Sequence, residues 1–395
     1  MKILHLADIH ARNNDIEEIQ ECLVFIHQAI LDERPDIVVI AGDIFNSRSL
    51  QLDSEAARLV FTMIAAYARE TPVAIVTGTP YHEGNATMAL SNLDNVWVSN
   101  RPEQFHLSDG EIYYPPEITT PPEAIISMVP TPTKQWWSGE GGIAQTDADI
   151  AEALTGLFAG FGAQASQYEC PHIMVGHFSV RGAQISEKQY MVGKDIEIGK
   201  DQLSLANADV ICLGHIHKMQ HIQPNIYYSG SIYSVDQGET DPKGFYRHDV
   251  DTTRFPLLDS TFIETPARKR ITLRLDYTNE DGYPELSGPL TEDADGAYIK
   301  IVADVWQDEA DSIDFEPLTE LLNENGAEKV DIQINRKPRE NVRSERILKL
   351  DSLRDKVEER AKLADDDLPD GVLDKCDLLE GSTVDEIIED VTRGT

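Results

Sequence analysis

The stretch KILHLADIH, residues 2–10, ends an apolar run in an aspartate and a histidine two positions apart. The pattern recurs along the chain. DIVVIAGD (36–43) ends in Asp43, PVAIV (72–76) runs into TGTPYHEG with His82, HIMVGH (172–177) ends in His177, and DVICLGHIH (209–217) ends in His215 and His217. Short apolar runs bounded by turn residues read as buried strands. A hydrophobic strand gains nothing in packing from a terminal His or Asp, so the repetition points to a purpose beyond the core. Amphipathic segments at 16–31 and 54–68 separate the first three runs, giving strand, helix, strand, helix, strand. With the later runs AIISMV (124–129) and NIYYSG (225–230), these predict a layered α/β domain.

The residue types at the strand ends are metal ligands. Asp8 and His10 share one face if their segment is extended, and could grip one ion together. Asp43 offers two oxygens able to bridge two ions, and His215 and His217 again share a face. A single strand-end histidine is more often structural, so the weight lies in the ordered series. Carboxylates mixed with imidazoles suit Mn²⁺, Fe²⁺ or Zn²⁺, and the lack of thiolates argues against a purely structural zinc site.

Composition bounds the alternatives. At 395 residues and 41% hydrophobic content the chain can bury one large core and one or two smaller ones. No apolar stretch approaches the roughly 20 residues of a bilayer span, and His5, Asp8 and His10 interrupt the first run. The expectation is a soluble cytoplasmic protein with no signal peptide and no membrane association. The four cysteines show no C-x-x-C pairing, which fits a reducing compartment. A net charge of −36 disfavours a general basic face, so a phosphate substrate would need bound cations; solubility or life in high salt explains the acidity equally well.

Residues 100–133 are proline-rich and 139–149 rich in glycine and acid, and both read as loops. After ETPARKR (264–270), the runs ITLRLDY, AYIKIVADV, FEPLTELLNENG and VDIQINRK predict a small β, β, α, β unit. From residue 339 a charged helix carries Ile347, Leu350, Leu353, Val357 and Ala361 at helical spacing, a stripe that seeks a partner or the chain's own domain. The acid run DDDLPDG (365–371) then breaks the chain, and Val384, Ile387, Ile388 and Val391 outline a final helix.

The series D-x-H (Asp8, His10), G-D (Asp43), a histidine turn (His82), an isolated His177 and G-H-x-H (His215, His217) resembles the calcineurin-like metallophosphoesterases. AGDIFNSRS, YYSGSIYSVDQGE and KGF narrow the resemblance to the SbcD-type nucleases over residues 1 to about 250. The resemblance implies a two-sheet sandwich flanked by helices (residues 1–264), a small α+β capping domain over the DNA cleft (265–338) and a C-terminal helical tail (339–395). The tail would bind an SbcC-like coiled-coil ATPase. It implies two divalent ions, with Mn²⁺ first and Fe²⁺ or Zn²⁺ as alternatives. Asp8, His10 and His217 would bind one, Asp43 would bridge, and His177 and His215 would bind the other; ions ~4 Å apart can clamp a phosphodiester. His82 would contact the scissile phosphate and protonate the departing oxygen. Glu83 would orient that imidazole or serve as a turn acid. DNA as substrate and a homodimer through first-domain helices are likewise implied.

The sequence departs from the family in one place. The family turn carries an ion-binding asparagine before its histidine, whereas GTPYHEG offers Tyr81 if His82 is aligned and Thr79 if Gly78 is. Water, Asn85 or Asn46 could fill that position, or the second ion could bind weakly. Arg181, Lys188 and Lys218 are candidate phosphate contacts, and Trp136 and Trp137 could stack on bases. Two rivals share the same residues: a stand-alone phosphoesterase acting on nucleotides or phosphoproteins, and a non-catalytic scaffold that binds the ATPase.

Overall fold

A computed structural model describes residues 1–115, 121–133, 147–186, 189, 196–251, 253, 257–279, 285–287, 294–338, 347, 349–364, 368–369, 371–383 and 386–387. Lys188, Trp136, Trp137, Val384, Ile388 and Val391 lie outside them.

The first half of the chain runs β1 (Lys2–Leu6), α1 (Ile16–Glu33), β2 (Ile37–Ala41), α2 (Glu55–Glu70), β3 (Val73–Val76), α3 (Asn85–Ala89), β4 (Val96–Ser99), β5 (Glu103–Ser108), β6 (Glu111–Tyr113), β7 (Ala124–Val129), α4 (Asp147–Ala165), β8 (His172–His177) and α5 (Lys200–Ser204). It continues through β9 (Val210–Gly214), β10 (Gln220–Gln223), β11 (Ile226–Tyr228), β12 (Gly244–Val250), β13 (Leu258–Glu264), β14 (Arg270–Asp276), β15 (Glu285–Ser287), β16 (Tyr298–Trp306), α6 (Glu316–Glu324), β17 (Lys329–Lys337), α7 (Leu353–Ala364) and α8 (Val372–Gly381). Two large sheets follow, in the orders β13-β12-β1-β2-β3-β4 and β10-β11-β9-β8-β7-β5-β6. Strands β1 to β4 are parallel, as are β7, β8, β9 and β11.

Alternation along each strand sets the layers. Leu4, Leu6, Val38, Ile40 and Ile75 meet Ile19, Leu23 and Ile26 of α1 and Val60 and Ile64 of α2. Their neighbours Ile3, Ile37, Val39 and Ala74 turn the other way, onto Phe105, Ile126, Ile173 and Val210 of the second sheet. Met174, Ile211 and Leu213 cover the far side of that sheet, against Leu154 and Phe158 of α4. The result is helix, sheet, sheet, helix, the expected sandwich. Each large side chain so buried contributes ~1.5–3 kcal/mol.

The region read as a proline-rich loop contains, besides the expected β7, two further strands. β5 and β6 form an antiparallel hairpin across Asp109 and Gly110, both left-handed at φ 50 and 73. An Asp-Gly pair is the preferred two-residue hairpin turn, because both positions need positive φ. Prolines at 102, 115 and 116 flank the hairpin rather than interrupt it.

A third sheet takes the order β15-β14-β16-β17. The described residues divide into two compact units: Met1–Leu273 with Ser287–Ile301 and Phe315–Ile332, and Arg274–Leu286 with Val302–Asp314 and Gln333–Thr395. In the second unit the expected long helix is shorter. Helix α7 starts at Leu353, with Ser352 Oγ accepting from Asp355 N at 3.0 Å, so Leu350 lies outside it. A serine cap starts a helix more decisively than a continuing apolar stripe extends one backwards. Helix α8, absent from the sequence reading, is joined to α7 by Leu353 N donating to Glu380 Oε1 at 2.6 Å and by the Arg354–Asp377 ion pair.

Three buried histidines make the first unit acid-sensitive. His5 lies 3.1 Å from the Leu213 carbonyl through Nε2 and 3.3 Å from His248 Nε2 through Nδ1, and His248 Nδ1 is 2.8 Å from Ser260 Oγ. Burial pushes His5 down to about 3 and His172 to about 4, and holds His248 well below the ordinary imidazole range. Below pH 6.5 the unfolded chain takes up protons that these rings refuse. Their contribution is therefore complete above pH 6.5 and is lost as pH falls towards 4, at ~1.4 kcal/mol per pH unit for each ring. Urea unfolding between pH 6.5 and 4.5 should show a slope shallower by about that amount in His248→Gln; identical slopes would remove His248 from the account.

Candidate metal centre

The site is built where the ends of β1 and β2 run side by side. Asp8 N donates to Gly42 O at 3.1 Å, His10 N to Asp43 O at 2.9 Å and Ala11 N to Ile44 O at 2.8 Å. The D-x-H segment is not regular extended chain, contrary to the sequence reading. Asp8, His10, Asp43 and His215 all have left-handed backbones, with φ of 52, 44, 49 and 93. Non-glycine residues there cost ~1–3 kcal/mol each, and such positions cluster at functional sites. The turn conformation, not the strand pleat, brings Asp8 and His10 together.

Glycines let the backbones close on these residues. A Cβ on Gly214 would stand 1.9 Å from Ala41 O and 2.9 Å from Ala7 Cβ, both rigid neighbours. We expect Gly214→Ala to destabilise the fold by ~3 kcal/mol, measurable by urea unfolding; a cost below about 1 kcal/mol would show that the strand ends can separate freely.

Asp8, His10 and His217 offer donor atoms all within 4.8 Å of one another, and so do Asp43, His177 and His215. Asp43 joins the sets: its Oδ2 lies 3.2 Å from His177 Nε2 and 3.8 Å from His10 Nε2. His10 Nε2 and His217 Nε2 stand 3.0 Å apart, and His215 N donates to both Asp8 oxygens at 3.0 Å. His177 Nδ1 donates to the Ala41 carbonyl at 2.6 Å, which turns Nε2 towards Asp43. That Nε2 has Asp43 beside it, and His10 Nδ1 is buried without a hydrogen-bond partner.

Electrostatics follow from this crowding. Burial alone would lower His177, but Asp43 and Asp8 outweigh it and push the imidazole up to about 9. Burial would raise Asp43, and the neighbouring His177, His10 and His82 instead hold it well below the carboxylate range. Burial pushes Asp8 up and His10 down. Two pooled carboxylates with buried imidazole nitrogens crowded against them form a hard-oxygen and nitrogen donor set that fits divalent cations.

His82 sits at the rim. Its ring meets that of His10 edge-on at 4.6 Å between centroids, and its Nδ1 donates to the Asn46 carbonyl at 2.9 Å. Glu83 does not serve that imidazole. Its Oε1 accepts from Ile44 N at 3.1 Å and Gly78 N at 3.2 Å, and its Oε2 from the Thr87 hydroxyl, so it is the acid that ties the turn. Burial, then the charge of Asp43, pushes Glu83 up to about 7.

Of the two residues that could stand for the missing asparagine, Thr79 faces the site. Its N donates to Asp43 Oδ1 at 2.7 Å and its hydroxyl lies 3.0 and 3.2 Å from the two Asp43 oxygens, while Tyr81 is 63% exposed. Asn85 is exposed. Arg181 is exposed and lies 3.9 Å from Glu197, and Lys218 pairs with Asp241 at 3.5 Å, so both have carboxylate neighbours outside the donor sets. Sequence reasoning passed over Glu239, which bonds His217 Nδ1 at 2.6 Å, and Gln189, which bonds both His215 O and His217 N. Spacing gave no signal for either; both come from loops.

Two mixed sheets with helices outside, and Asp and His gathered at the strand ends, make the arrangement of a metal-dependent hydrolase. The chain belongs to the calcineurin-like phosphoesterase family, whose model matches residues 1–219. It is 25% identical over 289 residues to the SbcD component of the SbcCD nuclease of Staphylococcus epidermidis, covering 70% of this chain and 73% of that one. It is 22% identical over 287 residues to putative phosphoesterase 244L of Invertebrate iridescent virus 6, covering 69% and 86%. Among solved structures, a dimetal phosphatase from Danio rerio aligns with TM-score 0.38 at 11% identity, over 63% of this chain and 92% of that one. No helix among the described residues is long and apolar enough to cross a membrane.

Proposed function

We propose that the chain is the nuclease component of a DNA-processing complex, hydrolysing phosphodiester bonds as an exonuclease or endonuclease in repair or recombination. The observation that carries it is the pair of three-residue donor sets joined at Asp43 with His82 at their rim. Asp8, His10 and His217 would hold one divalent ion and His177 and His215 the other, with Asp43 shared; manganese suits this donor set. Bound there, the ions supply Lewis acidity and neutralise the charge of a phosphodiester.

The chain's own residues do the rest. Thr79 fixes Asp43 in orientation through its N–H and hydroxyl. The Asn46 carbonyl holds His82 with its proton on Nδ1, which leaves Nε2 to carry a second proton to a departing oxygen. A chain of net charge −36 can accept a polyanion at such a cationic centre, where its surface at large would repel it.

The domain reading follows the same logic: residues 1–264 for catalysis, 265–338 as a cap over the DNA, and 339–395 for an SbcC-like coiled-coil ATPase. Homodimerisation and a cytoplasmic location belong to this reading as further proposals, while the name of the staphylococcal relative, a nuclease subunit, supports its nuclease part. The test is manganese-dependent cleavage of linear duplex DNA by the purified full chain, with and without the ATPase. Cleavage that weakens in the complex on deletion of residues 340–395 supports the reading. A protein inert on DNA but active on nucleotides is the stand-alone phosphoesterase, and one inert on both is the scaffold.

A further inference from the structure

We infer that Glu239, with Lys243 as its ion partner, is a positioning residue that fixes His217 as a ligand of the Asp8 and His10 ion; this rests on the metal-centre reading above. Glu239 lies in the loop between β11 and β12, is 2% exposed, and comes within 2.6 Å of His217 Nδ1 through Oε1. A carboxylate can only accept there, so His217 carries its proton on Nδ1. Its Nε2 then carries the lone pair, facing His10 Nε2 at 3.0 Å. A carboxylate behind a ligating histidine fixes the tautomer, orients the ring and raises its basicity.

Glu239 could itself be taken for a ligand, since it groups with His217 and Asp236. Its oxygens are already engaged. Oε2 accepts from Lys243 Nζ at 2.6 Å and from Val235 N at 3.2 Å, while Oε1 faces His217. Lys243 is buried as well, and its ammonium also lies 3.0 Å from Ser231 Oγ and 3.4 Å from the His217 carbonyl. Gln189 completes the brace, accepting from His217 N at 3.1 Å and donating to His215 O at 2.7 Å. The histidine is thus held by its ring and by its backbone.

The two donor sets differ in this respect. His177 leans on a neutral carbonyl, Ala41 O, whereas His217 leans on a charged carboxylate. Loss of Glu239 should therefore weaken one ion and spare the other.

The test reads the tautomer and the metal separately. In the metal-free full chain, nitrogen NMR of labelled histidine should show His217 protonated on Nδ1. Glu239→Gln should keep that form, because the amide oxygen still accepts, and Glu239→Met should lose it. Calorimetric titration with Mn²⁺ should show one of two sites weakened about 10–100-fold in Glu239→Met and less in Glu239→Gln. Glu239→Met leaves Lys243 buried and unpaired; should it fail to fold, Glu239→Met with Lys243→Met removes both charges and serves in its place. A wild-type His217 protonated on Nε2, or a folded Glu239→Met that binds both ions as tightly as wild type, overturns the inference. A wild type with the Nδ1 tautomer that binds no divalent ion overturns the metal-centre reading and the assigned role with it, and the NMR shows that the brace itself was correctly placed.

Discussion

Asp43→Asn should lower hydrolysis of a phosphodiester by ~10³-fold or more while the fold persists. Asp43 reaches donor atoms of both sets, through contacts of 3.2 Å to His177 Nε2 and 3.8 Å to His10 Nε2. Asparagine keeps an oxygen for Thr79 N but removes the charge that draws cations to both sides. Its amide also places hydrogens where a ligand lone pair is needed. The loss should therefore show in ion stoichiometry as well as rate. Turnover of bis(p-nitrophenyl) phosphate and Mn²⁺ per chain are the measurements, with circular dichroism to check the fold. Activity within tenfold of wild type would mean that Asp43 is not shared.

The sandwich was legible because its strands obey a simple rule. Each apolar run of β1, β2, β3, β7, β8 and β9 buries both faces, so hydrophobicity alone marks it. The β5–β6 hairpin was hidden by flanking prolines, although Asp109-Gly110 carries its own turn signal. At the chain's far end, apolar spacing from Ile347 suggested one long helix, and the Ser352 cap decided otherwise. In both cases a local backbone preference overrode a compositional impression.

The site residues were legible as types, since Asp and His have no packing reason to end buried strands. Their geometry was not. Asp8 and His10 converge through left-handed turns that an ideal strand would not predict. The role of Thr79 needed the structure, because two alignments of GTPYHEG were open and only the bonds to Asp43 separate them. Glu83 carried two readings, a partner for His82 or a turn acid, and the turn sends its carboxylate to Ile44, Gly78 and Thr87, as the second has it. Glu239 lies 22 residues from His217 and touches it only through folding.

His82→Ala provides the sharper test of mechanism. His82 falls within 4.8 Å of donors on His10 and Asp43, so it could be a third kind of ligand rather than an acid. The two roles predict different losses. A general acid is worth ~10²–10⁴-fold, and only where the leaving oxygen needs a proton. The substitution should thus slow cleavage of DNA, whose leaving group is an alkoxide, by that factor. It should slow a p-nitrophenyl ester far less, because nitrophenolate departs unprotonated, and it should leave Mn²⁺ affinity unchanged. A ligand role predicts equal losses on both substrates together with weaker metal binding. The Asn46 carbonyl holds the Nδ1 proton in either role and leaves Nε2 as the working nitrogen at the rim of the site, so the two substrates decide. Equal losses on both substrates would move His82 into the ligand set and leave the departing oxygen without a proton donor on this turn.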